Sequence, residues 1–230
     1  MSDIIIALDG FSSCGKSSTA KRVAAALKYA FVDTGAMYRA VALYFHRNQI
    51  SILDPNEIQG ALSNIEISFV FNPERQASDT YLNGENIEAE IRKMYISDLV
   101  SQVSAVPVVR HAMVALQQKM GEKKALVMDG RDIGTVVFPK AELKIFMTAD
   151  PEIRVDRRYK ELLLQNKDIT IDKVRENLAM RDFKDSSRAD SPLRKAEDAI
   201  VLDNSYLHPD EQLELALSWA YEKINLKNNK

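Results

Sequence analysis

The segment GFSSCGKS, residues 10–17, places two glycines five positions apart and follows the second with a lysine and a serine. It matches the pattern G-x-x-x-x-G-K-[ST] at every fixed position, directly after the apolar run IIIAL and directly before a helical stretch. In this context the glycines let backbone N–H groups converge on phosphate oxygens, Lys16 reaches the β- and γ-phosphates, and the Ser17 hydroxyl ligates Mg²⁺. The segment therefore predicts a nucleoside-triphosphate site that uses Mg²⁺. The predicted triphosphate cradle comprises Gly10, Phe11, Ser12, Ser13, Cys14, Gly15, Lys16, Ser17 and Ser18.

The only cysteine of the chain, Cys14, lies inside this segment. No histidine stands near it in sequence to act as a base, and phosphate binding needs no covalent step. We therefore interpret Cys14 as a small packing residue whose backbone N–H matters more than its sulfur. Because it belongs to the loop, we also expect its thiol to lie beside the nucleotide, where alkylation would inhibit. One cysteine excludes an internal disulfide, as expected in a reducing compartment.

Arginine is concentrated between residues 151 and 195, which hold seven of the 14 arginines and no predicted strand. One guanidinium group can bind two phosphate oxygens at once. This segment is therefore predicted to form a lid that neutralises charge on transferring phosphates. The alternative is a pair of solvated helices laced by i,i+4 ion pairs. The seven residues are Arg154, Arg157, Arg158, Arg175, Arg181, Arg188 and Arg194.

Two further polar clusters follow predicted buried strands, at the strand ends where ligands bind in α/β sheets. In DTGAMYR, Thr34 is the expected N-cap of a helix, and Arg39 one turn later makes an anion site plausible. In VMDGRD, the charged residues Asp129, Arg131 and Asp132 surround one glycine. Three charges at a strand exit are costly unless they are paired or face a ligand. The alternative for the first cluster is that Thr34 only caps the helix. The alternative for the second is that its three charged residues pair with one another within the turn.

The rest of the pattern shows which elements position these clusters. Short apolar runs alternate with helical stretches, which favours an α/β fold with a parallel sheet covered by helices. The period-two stretch 64–88, with its Asn-Gly pair, predicts an antiparallel hairpin insert. Asp-Pro pairs at 54–55 and 150–151 predict helix starts. One charged helix is expected to end near Gln165 and a second to begin near Asp172.

Composition excludes several classes of protein. The chain has 230 residues, 46% apolar residues and a net charge of −2, which suit one domain with a proper core. Such a charge balance argues against a protein that coats nucleic acid or an anionic membrane. No apolar window is long enough for a transmembrane helix. We therefore expect a cytoplasmic protein with small-molecule partners and no nucleic-acid or membrane partner. Because the charged helices leave no large apolar seam, we also expect a monomer.

Five motifs taken together resemble the bacterial-type cytidylate kinases, of the nucleoside monophosphate kinase group, over nearly the whole chain. They are GFSSCGKSS, DTGAMYR, SQVSAVPVVR, DGRDIGTVVFP and RDFKDSSRADSPL. The resemblance implies a three-layer P-loop kinase fold with a parallel central sheet, a small antiparallel insert and a helical lid. It implies one domain over 1–230, with a core of 1–34, 107–150 and 195–230, a monophosphate-binding region with the hairpin insert at 35–106, and a lid at 151–194.

The same resemblance implies the reaction ATP + CMP (or dCMP) giving ADP + CDP (or dCDP), with Mg²⁺ as cofactor. Ser101, Arg110 and Asp132 match cytosine-reading positions, and a carboxylate indeed accepts from the cytosine N4 amine but is repelled by the uracil carbonyl. The implied catalytic residues are Lys16, Arg131, Arg154, Arg157, Arg158, Arg181 and Arg188. The implied CMP contacts are Thr34, Tyr38, Arg39, Ser101, Arg110, Arg131, Asp132, Arg181, Asp185 and Arg188.

Two other functions stay open at the level of sequence. One is a P-loop kinase for another small acceptor, such as UMP, a different monophosphate or a shikimate-like compound. The other is a nucleotide-binding switch without turnover. A guanine-reading N-K-x-D motif would favour the switch, but the nearest match, Asn166-Lys167, is followed by Ile169 where Asp is needed.

Overall fold

The computed structural model describes residues 3–75, 77–164 and 169–229. Within these residues the elements alternate between strands and helices as the sequence pattern predicts. The strands are β1 (Ile5–Gly10), β2 (Ala30–Asp33), β3 (Ile67–Asn72), β4 (Ala77–Leu82), β5 (Glu85–Asn86), β6 (Leu126–Gly130), β7 (Leu143–Thr148) and β8 (Ile200–Asp203). The helices are α1 (Lys16–Leu27), α2 (Thr34–Arg47), α3 (Pro55–Ser63), α4 (Met94–Val103), α5 (Pro107–Met120), α6 (Pro151–Leu163), α7 (Ile171–Ser187) and α8 (Pro209–Asn228).

The central sheet has five strands in the order β2, β6, β1, β7, β8. β1 pairs in parallel with β6 on one side and with β7 on the other, and β7 pairs in parallel with β8. Every residue of β1 and of β6 is buried, as expected for parallel strands covered on both faces. Because these strands run in parallel, the segments that follow their carboxyl ends meet at one edge of the sheet. The predicted α/β fold is therefore confirmed.

Two compact units make up the chain, one of Met1–Phe31 with Lys123–Lys230 and the other of Val32–Glu122. In the first unit, the core of β1, β6 and β7 includes Ile6, Leu8, Val127 and Ile145, all at most 1% exposed. Burying each such side chain contributes about 1.5–3 kcal/mol. The sheet centre is thus a firm platform for the loops at its strand ends.

Helices α6 and α7 of the first unit share a small apolar cluster of their own. It consists of Val155, Leu162, Val174 and Leu178. Asp150 caps α6 by accepting from two backbone N–H groups, as the Asp-Pro pair predicts. α7 begins at Ile171, one residue before the predicted start. The predicted end of α6 at Gln165 and the near-match Asn166-Lys167 lie outside the described residues.

The second unit contains α2 to α5 and an antiparallel sheet of β3, β4 and β5. Asn83 and Gly84 both take positive φ, 49° and 81°, which is the conformation that a tight Asn-Gly hairpin turn requires. This confirms the hairpin, although the turn joins β4 to the two-residue β5. The predicted N-cap of α2 is wrong by one residue, because Asp33, and not Thr34, caps it through the Ala36 N–H.

Among the described residues, no single helix is long and apolar enough to span a membrane. The segments Tyr95–Val103 and Pro107–Met120 meet the length and composition test only as a pair, and they are bent by 95°. In this pair, Pro107 occupies the first turn of α5, where its missing N–H costs no helical hydrogen bond.

Candidate active site

The triphosphate cradle begins where β1 ends, and its two glycines take conformations that other residues adopt only under strain. Gly10 has φ 149°, and a Cβ added there would lie 2.0 Å from the Met147 carbonyl oxygen. Gly15 has φ 85° and is the N-cap of α1. The first glycine therefore allows close packing on β7, and the second turns the chain so that the N-terminus of α1 faces the loop. A helix N-terminus favours bound anions.

Lys16 is almost fully buried in the cradle, at 6% exposure. Its Nζ donates to the Phe11 carbonyl oxygen at 2.5 Å, which curls the side chain back over the loop. Burial lowers the pKa of the Lys16 ammonium, and the nearby Arg131 charge lowers it further. A desolvated cation beside a loop of amides is a strong site for phosphate oxygens.

The oxygens best suited to Mg²⁺ come from two elements. The Ser17 hydroxyl at the start of α1 donates to Asp129 Oδ2 at the end of β6, at 2.6 Å. Hydroxyl and carboxylate oxygens are ligands that Mg²⁺ prefers, and this ion usually keeps only one or two protein ligands beside substrate phosphates. In the described part of the chain, no group of three His, Cys, Asp or Glu residues could hold a metal alone. The residues present therefore fit an Mg²⁺ ion shared with a nucleotide.

Ser12 of the cradle forms hydrogen bonds with three charged side chains. Its backbone N–H donates to Asp182 Oδ1 at 3.1 Å, and its hydroxyl accepts from Arg131 Nη2 at 2.9 Å. Its carbonyl oxygen accepts from Arg154 Nη1 at 3.2 Å, and Arg154 is also ion-paired with Asp182. Charged residues of α6 and α7 thus contact the phosphate loop itself.

The three arginines of α6 have separate partners. Arg154 contacts the cradle, and its guanidinium lies 5.3 Å from the centre of the Phe11 ring. Arg157 donates to the side-chain and backbone oxygens of Asn204, at 3.0 and 2.8 Å. Arg158 pairs with Glu161 on its own helix. Helical spacing puts the three on one face, but only Arg154 contacts the loop.

Cys14 is a core residue. Its side chain is fully buried in the main apolar cluster, and Sγ donates to the Met147 carbonyl oxygen at 3.4 Å. Its own carbonyl oxygen accepts from Asn204 Nδ2 at 2.6 Å. The packing role is thus supported. The thiol also accepts from Lys16 Nζ at 3.7 Å, so it lies next to the cradle lysine, but its full burial leaves no access for a bulky reagent.

A second charged cluster of the first unit gathers four residues implied in CMP binding. Arg131 Nε donates to Asp185 Oδ2 at 2.7 Å, and Arg188 lies 3.5 Å from Asp185 and 4.0 Å from Asp132. Burial alone would raise the pKa of Asp185, but Arg131, Arg188 and the charge of Arg181 outweigh it and lower the pKa. Asp185 therefore stays ionised and fixes the direction of two guanidinium groups.

Asp9, the residue before the cradle, ties the loop after β6 to β1. Its two carboxylate oxygens accept from the backbone N–H groups of Ile133 and Gly134, at 2.8 and 2.7 Å. These residues open a π-helical turn, Ile133–Val137, that directly follows Arg131 and Asp132. Burial raises the pKa of Asp9 to about 6, and the Asp132 charge adds to this, although the two N–H groups oppose it.

In the second unit, the start of α2 holds a group of charged residues. Asp33 Oδ1 accepts from the Ala36 N–H at 2.9 Å, while Oδ2 pairs with Arg39 at 3.0 Å and with Arg92 at 3.1 Å. Burial would raise the pKa of Asp33, but the two arginines and the Ala36 N–H lower it to about 2. Thr34, buried beside this carboxylate, is the first residue of the helix.

The other implied CMP contacts of the second unit pack on the same helix or near it. The Arg110 guanidinium lies 5.4 Å from the centre of the Tyr38 ring and donates to the Ser104 carbonyl oxygen at 3.0 Å. Arg110 is only 1% exposed, so α5 presents a fixed guanidinium against a tyrosine face. Ser101 lies on α4, in the turn before Ser104.

Sequence reasoning missed three residues of these clusters and did not assign a metal role to a fourth, Asp129, which it named only as one of three charges at a strand exit. An aspartate that ends a buried strand beside the loop strand is a known Mg²⁺ partner, so the position of Asp129 could have been recognised. Asp9, Asp182 and Arg92 carry no such signal, because their partners lie far away in sequence.

Comparisons with known proteins identify the family of this chain. The family model for cytidylate kinase matches residues 6–222. A cytidylate kinase of Cytophaga hutchinsonii is 52% identical over 224 residues, 97% of this chain and 96% of its own length. One of Bacteroides thetaiotaomicron is 52% identical over 227 residues, 97% of each chain, and one of Flavobacterium johnsoniae is 47% identical over 229 residues. As its motifs predict, the chain belongs to the cytidylate kinase family.

Proposed function

We propose that this chain transfers the γ-phosphoryl group of ATP to CMP and dCMP, giving CDP and dCDP, with Mg²⁺. Membership in the cytidylate kinase family supports the reaction. The observation that carries the mechanism is the position of Arg131, whose guanidinium contacts Ser12 of the cradle and Asp185 of the second charged cluster. One cation thus links the donor's phosphate loop to the proposed acceptor residues.

Phosphoryl transfer requires the protein to position the two phosphates and to neutralise the charge on the transferring group. A CMP phosphate oxygen is already a competent nucleophile, so no strong general base is needed. Lys16 and Arg154 at the cradle, with Arg131 and Arg188, would offset the charge that develops on the transferring group. Ser17 and Asp129 would hold Mg²⁺, which would neutralise part of the phosphate charge. Closure of α6 and α7 over the cradle would exclude water, which otherwise would hydrolyse ATP.

Base recognition is proposed for Asp132, Arg110 and Ser101. Asp132 is buried at 5% exposure and lies near Arg188, so it would present a fixed carboxylate to the N4 amine of cytosine. Uracil has a carbonyl at that position and would be repelled. Thr34 and Arg39, at the positively polarised start of α2, would hold the monophosphate.

The proposed organisation follows from these roles. Residues 1–34, 107–150 and 195–230 would form the core, 35–106 the monophosphate-binding region and 151–194 the lid. The protein would act on small molecules, as a monomer in the cytoplasm.

An ADP-release assay tests the proposal against its rivals. ATP turnover should rise strongly when CMP or dCMP is added and much less with UMP or shikimate. A kinase for another acceptor would respond to that acceptor instead. A nucleotide-binding switch would hydrolyse ATP slowly at one rate whatever monophosphate is present.

A further inference from the structure

Arg92 lies between two buried carboxylates of the second unit. Its Nη2 is 3.1 Å from Asp33 Oδ2 and 2.8 Å from Glu88 Oε1, and its Nε donates to Glu88 Oε1 at 2.9 Å. Arg92 itself is 40% exposed, but Asp33 and Glu88 are only 11% and 6% exposed. Buried carboxylates need such a partner, so this arrangement differs from a surface ion pair of little value.

Glu88 belongs to the hairpin insert. It follows β5, and its Oε2 accepts from both the hydroxyl and the backbone N–H of Thr80 in β4, at 2.7 and 3.1 Å. The neighbouring Asp79 is held in the same way by Asn72 of β3 and Asn86 of β5, at 2.8 and 3.1 Å. These buried polar contacts fix the insert as a unit, with Glu88 at its border.

Asp33 belongs to the start of α2. Its Oδ2 is shared by Arg92 and Arg39, while its Oδ1 caps the helix. Gly35 keeps this arrangement open, since a Cβ there would lie 2.9 Å from Arg39 Nη1 and 3.0 Å from Asp33 Oδ1. The position of the Arg39 guanidinium therefore depends on Asp33.

We propose that Arg92 is a positioning residue that couples the hairpin insert, through Glu88 and Asp33, to the acceptor-phosphate cation Arg39. This inference rests on the proposed function, and it assigns the insert a role in binding CMP. Without Arg92, Asp33 loses one of two cations, and Arg39 is drawn more strongly to the carboxylate and away from phosphate. The insert then no longer holds the start of α2.

Steady-state kinetics of Arg92→Ala, with CMP and ATP varied separately, tests this. KM for CMP should rise about tenfold or more, the effect of about 1.4 kcal/mol. KM for ATP should change less than about twofold. Arg47→Ala is the matched control, because Arg47 also links α2 to the hairpin, through Glu85, but at the far end of the helix. It should leave both constants unchanged.

Glu88→Gln tests whether Arg92 acts by positioning Arg39 or by binding phosphate itself, because Glu88 is a partner of Arg92 and carries no positive charge. It is also the more conservative variant, since glutamine keeps a hydrogen-bonding side chain, and so it serves if Arg92→Ala folds poorly. Glu88→Gln should raise KM for CMP about threefold, and the double variant should be no worse than Arg92→Ala alone. A normal KM for CMP in Arg92→Ala overturns the proposal, and so does an effect of Arg92→Ala without any effect of Glu88→Gln. If the wild-type protein itself does not phosphorylate CMP, the proposed function fails, which is a distinct result.

Discussion

The carboxylate of Asp182 accepts a hydrogen bond from the backbone N–H of Ser12, 3.1 Å away, inside the phosphate loop. Loop N–H groups of this kind bind phosphate oxygens. A side chain of α7 therefore places an anion on part of the predicted triphosphate site, and its partner Arg154 contacts the same residue. If the loop binds ATP as proposed, a phosphate oxygen would take the place of this carboxylate on the Ser12 N–H, and Arg154 would then contact the phosphate.

Removing this internal anion should tighten ATP binding while slowing turnover. We expect Asp182→Ala to lower the Kd for ATP about threefold, because ATP no longer competes with the carboxylate. Turnover should fall, because Arg154 loses the partner that orients it. Titration calorimetry and steady-state kinetics measure the two effects. Asp172→Ala is the control, since Asp172 pairs with Arg175 on the surface of the same helix. Weaker ATP binding in Asp182→Ala would contradict this account.

Asp9 should give the pH–rate profile an acidic limb. Above its pKa of about 6, both carboxylate oxygens accept from the turn at Ile133 and Gly134, and below it one oxygen is protonated. Turnover should therefore fall as pH decreases through about 6, and Asp9→Asn should be slow at every pH and lack this limb. A wild-type profile in Asp9→Asn would refute the assignment.

Stability should respond to Asp9 in the opposite direction. The pKa of Asp9 is raised from an ordinary value of 3.8, so its contribution is fully present below pH 3.8 and is lost as pH rises through about 6. The shift corresponds to a loss on the order of 3 kcal/mol. Chemical denaturation of wild type and Asp9→Asn at pH 5 and pH 8 captures about 1.4 kcal/mol of this loss, because the rest already occurs below pH 5. The stability difference between the two pH values should be smaller in the variant.

Asp129 should determine the Mg²⁺ concentration that the reaction requires. Replacing its carboxylate by an amide weakens the partner of Ser17, so Asp129→Asn should raise the half-saturating Mg²⁺ concentration about 10- to 100-fold. Asp203→Asn is the matched control, because Asp203 also ends a strand of the sheet but accepts from the hydroxyl and backbone N–H of Ser205 in the turn that follows. An unchanged Mg²⁺ requirement in Asp129→Asn would remove Asp129 from the metal site.

The strands and the phosphate loop could be predicted from the sequence because their signals are local. A buried apolar run, two glycines and a helix start lie within about twenty residues, and each of these patterns is typical of one structural feature. The cap of α2 could not be decided locally, because Asp33 and Thr34 are adjacent and both residue types cap helices. Helical spacing correctly placed Arg154 near Arg157, but their long side chains reach different partners. The pairs Ser12–Asp182 and Asp33–Arg92 depend on tertiary packing, which no local pattern encodes.

Cys14 should be replaceable and unreactive. Because its side chain is fully buried against Met147, Cys14→Ala should keep turnover and lose about 1 kcal/mol of stability, as expected for a small cavity. A bulky alkylating reagent should leave the native protein active with or without ATP. Inhibition that ATP prevents would instead show that a reagent reaches the thiol through the empty cradle.

The preference between CMP and UMP, with and without Asp132, tests the central claim that this chain recognises cytosine and phosphorylates its monophosphate. For the wild-type protein, kcat/KM should favour CMP by about 5- to 150-fold, the ratio that about 1–3 kcal/mol of base discrimination produces. Asp132→Asn should bring this ratio close to one, since an amide can satisfy either base. An equal preference in the wild-type protein, or an unchanged ratio in Asp132→Asn, would contradict the account.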